Sequence, residues 1–150
     1  MSHIGNSGLV WLVIAVIAAF LWRRPSIFLF VLAGDLLAGW ASYGLRLAIG
    51  RERPPHRFPD PRPLVDVPVS DSFPSGHSAS SFACAALLAW LTPLPKVPLF
   101  ALAMLIAFSR VYNGVHYPLD VLGGAALGLA VATALRLLAG ARPRSAPAPR

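Results

Sequence analysis

Three short segments of this chain place charged and polar side chains beside long apolar stretches. The last of them runs from Ser109 to Asp120 and contains Arg110 and His116. Such groups are costly in or near a bilayer, so a functional role is their first interpretation. His116 and Asp120 lie four residues apart. This spacing lets a carboxylate orient and charge-stabilise an imidazole if the segment is helical.

The second segment, Pro74 to His77, stands where a proline-rich stretch gives way to an apolar run. If a helix begins here, its free backbone N–H groups attract anions, Gly76 permits close approach, and the Ser75 hydroxyl adds a donor. His77 is then placed to donate a proton to a leaving oxygen. Taken alone, such a helix start is most often only a cap.

The remaining candidates are three arginines near the ends of apolar stretches: Arg46, Arg53 and Arg110. Guanidinium groups bind phosphate oxygens bidentately, so the three would neutralise a phosphoryl group and the charge of its transition state. In such a site His116, backed by Asp120, would be the nucleophile and His77 the general acid. No Asp/Glu or Cys/His cluster in the sequence suggests a metal, so we expect no metal or other cofactor.

The composition is that of a membrane protein. Of the 150 residues, 56% are hydrophobic and only 13% are charged, with a mean hydropathy of +0.63, far from an ordinary soluble surface. The net charge of +7 comes from arginines that flank apolar stretches, where they meet lipid head groups or anionic substrates. No basic face interleaved with aromatic residues is present, so we do not expect nucleic-acid binding. Cys84 is the only cysteine, which excludes an internal disulfide.

Five apolar stretches approach the length of about 20 residues that crosses a bilayer. They are Ile4–Trp22, Ile27–Ile49, Ser78–Leu94, Val97–Phe108 with a continuation to about Val115, and Tyr117–Leu138. The predicted fold is therefore an all-α integral membrane bundle of about five transmembrane helices, forming one domain over residues 1–140. Residues 50–74 are predicted to be a loop, with a short amphipathic piece near Leu64–Val69. Residues 141–150 are predicted to be a disordered basic tail.

Two features inside the predicted spans have more than one interpretation. Gly124 and Gly128 form a small-residue face, which predicts helix packing in the first place and a homodimer seam in the second. Asp35 lies inside the second span. It either lines a polar cavity or pairs with an arginine, or it is a hydrogen-bonded packing residue, and the sequence leaves both open.

Five spans bring the three segments to one membrane face. The end of the second span, the start of the third, the end of the fourth and the start of the fifth all emerge on the same side. That side carries every candidate site residue: Arg46, Arg53, Ser75, Gly76, His77, Arg110, His116 and Asp120.

The charge distribution predicts which side this is. The opposite face carries seven basic residues: Arg23, Arg24, Lys96, Arg136, Arg142, Arg144 and Arg150. The site face carries three when the three candidate arginines are set aside: Arg51, Arg57 and Arg62. Because cytoplasmic loops carry the excess of basic residues, the site is predicted to face the extracytoplasmic side of the cell (inner) membrane.

Together the segments resemble the tripartite motif of the type 2 phosphatidic acid phosphatase (PAP2) superfamily. That motif is Lys-x6-Arg-Pro, then Pro-Ser-Gly-His, then Ser-Arg-x5-His-x3-Asp. In this chain the three parts read Arg46-x6-Arg53-Pro54, Pro74-Ser75-Gly76-His77 and Ser109-Arg110-x5-His116-x3-Asp120. The match extends over half of the chain. Arg46 stands where the family usually has lysine, and members commonly have six spans where this chain has five.

The resemblance implies a helical membrane bundle and metal-independent hydrolysis of a phosphate monoester or diphosphate through a phosphohistidine. Carried over by position, His116 would be the nucleophile, Asp120 its partner and His77 the acid. The phosphoryl group would be bound by Arg46, Arg53, Ser75, Gly76 and Arg110.

The function expected from these observations is that of an integral-membrane lipid phosphatase. High Ala, Arg, Pro and Leu usage is typical of a bacterial source, so undecaprenyl diphosphate is the first expected substrate, followed by phosphatidic acid and phosphatidylglycerol phosphate. The alternative is a non-catalytic membrane module whose basic loop, Arg51–Arg62, binds anionic lipid or a partner. Intact His77, His116 and Asp120 argue against this alternative.

Overall fold

The computed structural model describes residues 5–58, 60 and 62–140 of the chain. Within these residues it contains six helices and no strand. The helices are α1 (Gly5–Leu21), α2 (Pro25–Ile49), α3 (Pro54–Arg57), α4 (Gly76–Leu91), α5 (Lys96–Tyr112) and α6 (Pro118–Leu138). The five long helices occupy the five predicted spans, which confirms the all-α bundle. The tail predicted to be disordered, residues 141–150, lies outside the described residues.

The boundaries of α2 and α6 follow from proline and glycine chemistry. Pro25 and Pro118 each lie in the first helical turn, where the missing N–H of proline leaves no helical hydrogen bond unmade. Gly50 ends α2 in the left-handed conformation, with φ 63°, and its N–H donates to the carbonyl of Arg46 at 2.9 Å. As a result Arg46 lies in the last turn of α2, where the loop to α4 begins.

Helix α4 is the central element. It packs most extensively against α6 and α2 and also contacts α5 and α1. Its buried surface consists largely of alanine and serine side chains, which allow neighbouring helices to approach closely. The positions that face α6 at the start of α4 are therefore small, and two of its three leucines, Leu87 and Leu88, lie buried near its end.

The small-residue face of α6 is occupied by α4. A Cβ atom at Gly124 would collide with the carbonyl oxygen of Ser75, and one at Gly128 would collide with that of Ala79. The glycines therefore serve helix packing inside the chain, as predicted in the first place. A homodimer would have to use another surface.

Apolar packing is densest at the end of the bundle away from the candidate site. Trp11, Ile27, Val31, Leu87 and Leu99 are buried in one cluster there. The outer surface of the helices also carries large apolar side chains, and many of these are highly exposed. Two helices, α2 and α6, are long and apolar enough to cross a membrane by length and composition, and α1 contributes a shorter apolar stretch. These features describe a bundle that faces lipid.

The loop between α2 and α4 contains one helical turn that the sequence did not indicate. That turn is α3, and the segment Leu64–Val69, predicted to be a short amphipathic piece, forms no helix. Pro54 and Pro55 suit the first turn of a helix. The backbone N–H of Leu64 instead donates to the carbonyl of Asn113 at 3.3 Å, which attaches the loop to the end of α5.

Asp35 lies at the contact between α1, α2 and α4, away from the candidate site. A Cβ atom at Gly8 would stand 2.5 Å from its Oδ2 atom, and the Ser80 hydroxyl donates to its backbone carbonyl at 3.5 Å. Among the described residues Asp35 forms no ion pair. The packing interpretation of this residue therefore agrees with its surroundings.

Candidate active site

The ends of α2 and α5 and the starts of α4 and α6 meet at one end of the bundle, together with the loop that contains α3. The backbone N–H of Ser75 donates to the carbonyl of Asp120 at 2.9 Å. This hydrogen bond joins the first turn of α4 to the first turn of α6. The second and third sequence segments are thereby brought together, as the span topology predicted.

His116 lies in the turn between α5 and α6 and is 5% exposed. Its Nδ1 atom is 3.5 Å from Oδ2 of Asp120, and its Nε2 atom is 3.1 Å from Nη1 of Arg53. Because a guanidinium group can only donate, Nε2 must be the unprotonated nitrogen. The ring proton of neutral His116 therefore lies on Nδ1, facing Asp120.

The protonation of His116 is set mainly by its burial. Loss of solvent lowers the pKa of the imidazole below its ordinary value, and the positive charge of Arg53 lowers it further. The hydrogen bond and negative charge of Asp120 act in the opposite direction. The net shift is downward, so the neutral ring with an unprotonated Nε2 is the favoured form at neutral pH.

Arg53 connects the loop to His116 and is 2% exposed. Its Nε atom donates to the carbonyl of Ser70 at 2.6 Å, and Nη2 donates to Ser70 Oγ at 3.2 Å and to the carbonyl of Asp71 at 3.3 Å. Nη1 donates to the carbonyl of Val115 at 2.8 Å, in addition to its contact with His116. All five N–H positions of the side chain are thus directed at protein groups. Burial lowers the pKa of Arg53 to about 10, so the group stays charged at neutral pH.

Asp120 is fully buried and accepts hydrogen bonds at both carboxylate oxygens. Oδ1 accepts from Nη1 of Arg51 at 2.8 Å. Oδ2 accepts from the backbone N–H of Tyr117 at 2.8 Å and from the hydroxyl of Ser72. The guanidinium of Arg51 also lies over the Tyr117 ring, 4.3 Å from its centroid. The carboxylate is therefore held in one orientation beside His116.

Arg51 and Ser72 were not among the residues predicted from the sequence. Both lie in the loop, where no helical or strand period indicates which side chains share a surface. The charge of Arg51 was visible, but nothing in its spacing distinguishes it from the exposed Arg57. The sequence shows several basic residues in the loop, but their number does not indicate which of them pairs with Asp120.

Arg46 and Gly76 lie against each other. A Cβ atom at Gly76 would be 3.2 Å from Nη1 of Arg46, so the missing side chain lets the guanidinium approach the first turn of α4. Ser75 is fully buried, and its hydroxyl accepts from that of Ser78 at 3.1 Å. In the described part of the chain, no side-chain hydrogen bond caps α4. Its first backbone N–H groups are left without helical partners, as at any uncapped helix start.

His77 lies in the first turn of α4, half-buried, and Arg110 lies in the last turn of α5. The charges on the other site residues are near enough to act on the His77 imidazole; they are Arg46, Arg53, Arg110 and His116. Nε of Arg110 donates to Ser109 Oγ at 3.3 Å. The eight predicted residues therefore lie around one end of the bundle, where a carboxylate-paired histidine and a second histidine lie among arginines.

The described residues contain no group of three or more His, Cys, Asp or Glu side chains that could hold a metal ion. Counter-charge for an anion is supplied here by guanidinium groups and helix N–H groups. Such a set is suited to binding a phosphoryl group and to stabilising the charge of its transfer.

Comparison with known proteins agrees with this chemistry. Residues 24–144 match the sequence profile of the PAP2 superfamily. Decaprenylphosphoryl-5-phosphoribose phosphatase of Mycobacterium tuberculosis is 37% identical over 146 residues, which cover 97% of this chain and 80% of that protein. Two crystal structures are also similar. One, Aquifex aeolicus LpxE, has a TM-score of 0.74 and 27% identity over 89% of this chain and 83% of the other.

The second structure is the transmembrane PAP2-type phosphatidylglycerolphosphate phosphatase of Bacillus subtilis. It has a TM-score of 0.70 and 31% identity, covering 91% of this chain and 71% of the other. A carboxylate-paired histidine among arginines, a matching helical bundle and a profile match over most of the chain lead to one assignment. The chain belongs to the PAP2 superfamily and is an integral-membrane lipid phosphatase.

Proposed function

We propose that this protein hydrolyses a phosphate ester of a polyprenyl-linked membrane lipid through a phosphohistidine at His116. One observation carries the proposal. The Nε2 atom of His116 is the unprotonated nitrogen and faces the guanidinium of Arg53 at 3.1 Å, while Nδ1 faces Asp120. A lone pair beside a phosphate-binding cation is the arrangement that nucleophilic attack on phosphorus requires.

In the first step Nε2 attacks phosphorus, and the bond from phosphorus to the lipid oxygen breaks. The ring of His116 becomes positively charged, and the carboxylate of Asp120 compensates that charge across Nδ1. His77 gives its proton to the departing lipid oxygen. In the second step water attacks phosphorus and loses a proton to His77. The N–P bond breaks, which releases inorganic phosphate and restores His116.

Arg53 contributes to the same steps although all its N–H positions have protein partners before substrate binds. Its Nη1 atom is directed at Nε2, the atom to which phosphorus is bonded in the intermediate. Once the lone pair is bonded to phosphorus, this donor faces the phosphoryl oxygens. We assign the remaining phosphate contacts to Arg46, Arg110, Ser75 and the backbone at Gly76.

The lipid class is inferred from the similarity to the mycobacterial enzyme. Its name describes a phosphate carried on a decaprenyl-linked sugar, and the similarity extends over 97% of this chain. A polyprenyl-linked phosphate, either such a monoester or undecaprenyl diphosphate, is therefore proposed ahead of phosphatidic acid and phosphatidylglycerol phosphate. We also propose that the site faces the extracytoplasmic side of the cell membrane, because the opposite end of the bundle carries more of the basic residues that have no role in the site.

Phosphate release from a panel of these four lipids tests the proposal, using purified protein in detergent with a chelator present. The wild type should release inorganic phosphate from a polyprenyl lipid fastest, vanadate should inhibit, and His116→Ala should abolish release. His56→Ala is the matched control, because His56 is exposed in α3 and should retain wild-type activity. Activity of His116→Ala equal to that of His56→Ala would exclude the mechanism, and faster turnover of the glycerol lipids would exclude the substrate class.

The non-catalytic alternative predicts lipid binding without turnover, unchanged when His77 and His116 are both replaced. No contact among the described residues favours it, and the similar proteins are phosphatases. The same panel distinguishes it from the proposed function, because a binding module releases no phosphate from any of the lipids.

A further inference from the structure

The two oxygens of the buried Asp120 carboxylate have different surroundings. Oδ2 faces His116 and accepts from Ser72 and the Tyr117 backbone. Oδ1 is paired with Arg51 at 2.8 Å. In the described part of the chain this is the one arginine or lysine that forms an ion pair with Asp120. A buried carboxylate is costly without a compensating charge, so Arg51 supplies what its burial requires.

Arg51 is itself held from several directions. Its guanidinium lies 4.3 Å from the centre of the Tyr117 ring, and its backbone carbonyl accepts from the N–H of Ser72 at 2.7 Å. Tyr117 and Ser72 are also the residues that donate to Oδ2 of Asp120. One closed cluster of four residues, Arg51, Ser72, Tyr117 and Asp120, therefore fixes the carboxylate. The Arg51 side chain is 34% exposed, whereas Ser72 and Asp120 are fully buried.

From this geometry we infer that Arg51 is a positioning residue for the phosphatase reaction, acting on His116 through Asp120. By holding Oδ1, Arg51 keeps Oδ2 directed at Nδ1 of His116. By compensating part of the carboxylate charge, it prevents Asp120 from holding His116 in the protonated, non-nucleophilic form. This inference rests on the proposed function, in which His116 attacks phosphorus.

The charges around His116 determine the sign of the expected effect. Asp120 of α6, Arg53 of the loop and His77 of α4 act on the ring directly. Further charged groups at this end of the bundle are Arg46 of α2, Arg110 of α5 and Asp71 of the loop. When Arg51 is removed, the carboxylate loses its nearest cation. Its undiminished charge then favours the imidazolium form of His116.

The test compares Arg51→Gln with Arg57→Gln, a control with the same charge change at an exposed position of the same loop. For Arg51→Gln we expect kcat to fall about 10- to 100-fold, by analogy with the loss of groups that orient a metal-binding histidine. KM should stay within about twofold of wild type, because Arg51 binds no substrate in this inference. Arg51→Lys should recover part of kcat, and Arg57→Gln should match the wild type.

A pH profile distinguishes positioning from a merely structural role. Because burial lowers the pKa of His116, the acid limb of wild-type kcat/KM should lie below pH of about 6.5, the ordinary imidazole value. In Arg51→Gln the acid limb should move to higher pH, since the ring is then protonated more readily. Arg57→Gln should leave the limb unmoved.

A double-mutant cycle completes the test. If Arg51 acts through Asp120, Arg51→Gln should change kcat little in an Asp120→Asn background, where the carboxylate charge is already absent. Three results would each overturn the inference: an equal loss in that background, a rise in KM at unchanged kcat, or Arg51→Gln behaving like Arg57→Gln. If Arg51→Gln does not fold in detergent, Arg51→Lys and Tyr117→Leu, which removes the stacked ring, provide the same comparisons.

Failure of the underlying mechanism has a different signature. In that case His116→Ala would retain activity whatever the Arg51 variants do. If His116→Ala is inactive and Arg51→Gln is fully active with an unmoved acid limb, the mechanism stands and the role of Arg51 does not.

Discussion

At the residue scale, the two arginines of the first motif have different environments. Arg53 is buried with five N–H contacts to protein groups, one of them to Nε2 of His116. Arg46 is half-buried and lies against Gly76. The residue types are the same, but one is a fixed part of the site and the other is available to an anion.

This difference predicts opposite tolerance to lysine. Arg46→Lys should retain activity within about tenfold, because a point charge still binds phosphate and lysine is usual at this position in the family. Arg53→Lys should lose more than about 100-fold in kcat/KM and about 1–3 kcal/mol of stability, because three ammonium donors cannot serve five acceptors left in a buried site. Phosphate release and thermal unfolding in detergent measure both effects.

Equal activity of the two lysine variants would contradict the assignment of separate roles. A stability loss in Arg53→Lys with full activity would show that Arg53 holds the loop and has no contact with the reacting phosphate.

At the element scale, the contact between α4 and α6 positions the site. The two helices start at the same end of the bundle and are joined there by the hydrogen bond from Ser75 to Asp120. Gly124 and Gly128 allow the close approach on which that alignment depends. A change in the separation of α4 and α6 would therefore move His77 relative to Asp120 and His116.

Glycine substitutions test this contact. A Cβ atom at Gly128 would overlap backbone atoms of α4, which cannot move aside as a flexible side chain can. We expect Gly128→Ala to destabilise the protein by about 1–3 kcal/mol and to lower kcat. Gly39→Ala is the matched control on α2. Nothing lies within 4 Å of its Cβ position, so stability should be unchanged or raised by up to about 1 kcal/mol.

Thermal unfolding in detergent and phosphate release measure both variants. If Gly128→Ala were as stable and active as Gly39→Ala, the close contact of the two helices would not be what positions the site.

At the scale of the whole molecule, the bundle has a site end, formed by the starts of α4 and α6, and an opposite end that contains the turn from α4 to α5. Asp66 lies exposed in the loop of the site end, and Lys96 lies exposed at the opposite end. The proposed orientation places Asp66 outside the cytoplasm and Lys96 inside.

Cysteine labelling tests this orientation in a Cys84→Ala background. In right-side-out vesicles, a membrane-impermeant maleimide should label Asp66→Cys directly and should label Lys96→Cys only after permeabilisation. The reverse pattern would place the site in the cytoplasm and would leave the chemistry of the site untouched.

Much of this architecture could be predicted from the sequence because the bilayer simplifies the problem. Apolar length identifies the spans, and alternation of direction then brings Arg46, Ser75, Arg110 and Asp120 to one end without any knowledge of packing. Packing preferences also identified the Gly124 and Gly128 face. The loop was the weak point: its helical turn at Pro54 was not predicted, because proline-rich segments have no hydrophobic period to indicate structure.

The sequence by itself determined the family resemblance, the number of spans and the residues that gather at the site, since these depend on residue type, spacing and hydropathy. Only the tertiary structure decided which of those residues contact one another and which atoms make the contacts. It places the guanidinium of Arg53 at Nε2 of His116, from which the position of the lone pair follows. It also shows that Arg53 is enclosed by protein acceptors and that Arg51 pairs with Asp120. Hydrogen-bond direction and loop conformation depend on three-dimensional contacts between residues distant in the chain, and no local pattern encodes them.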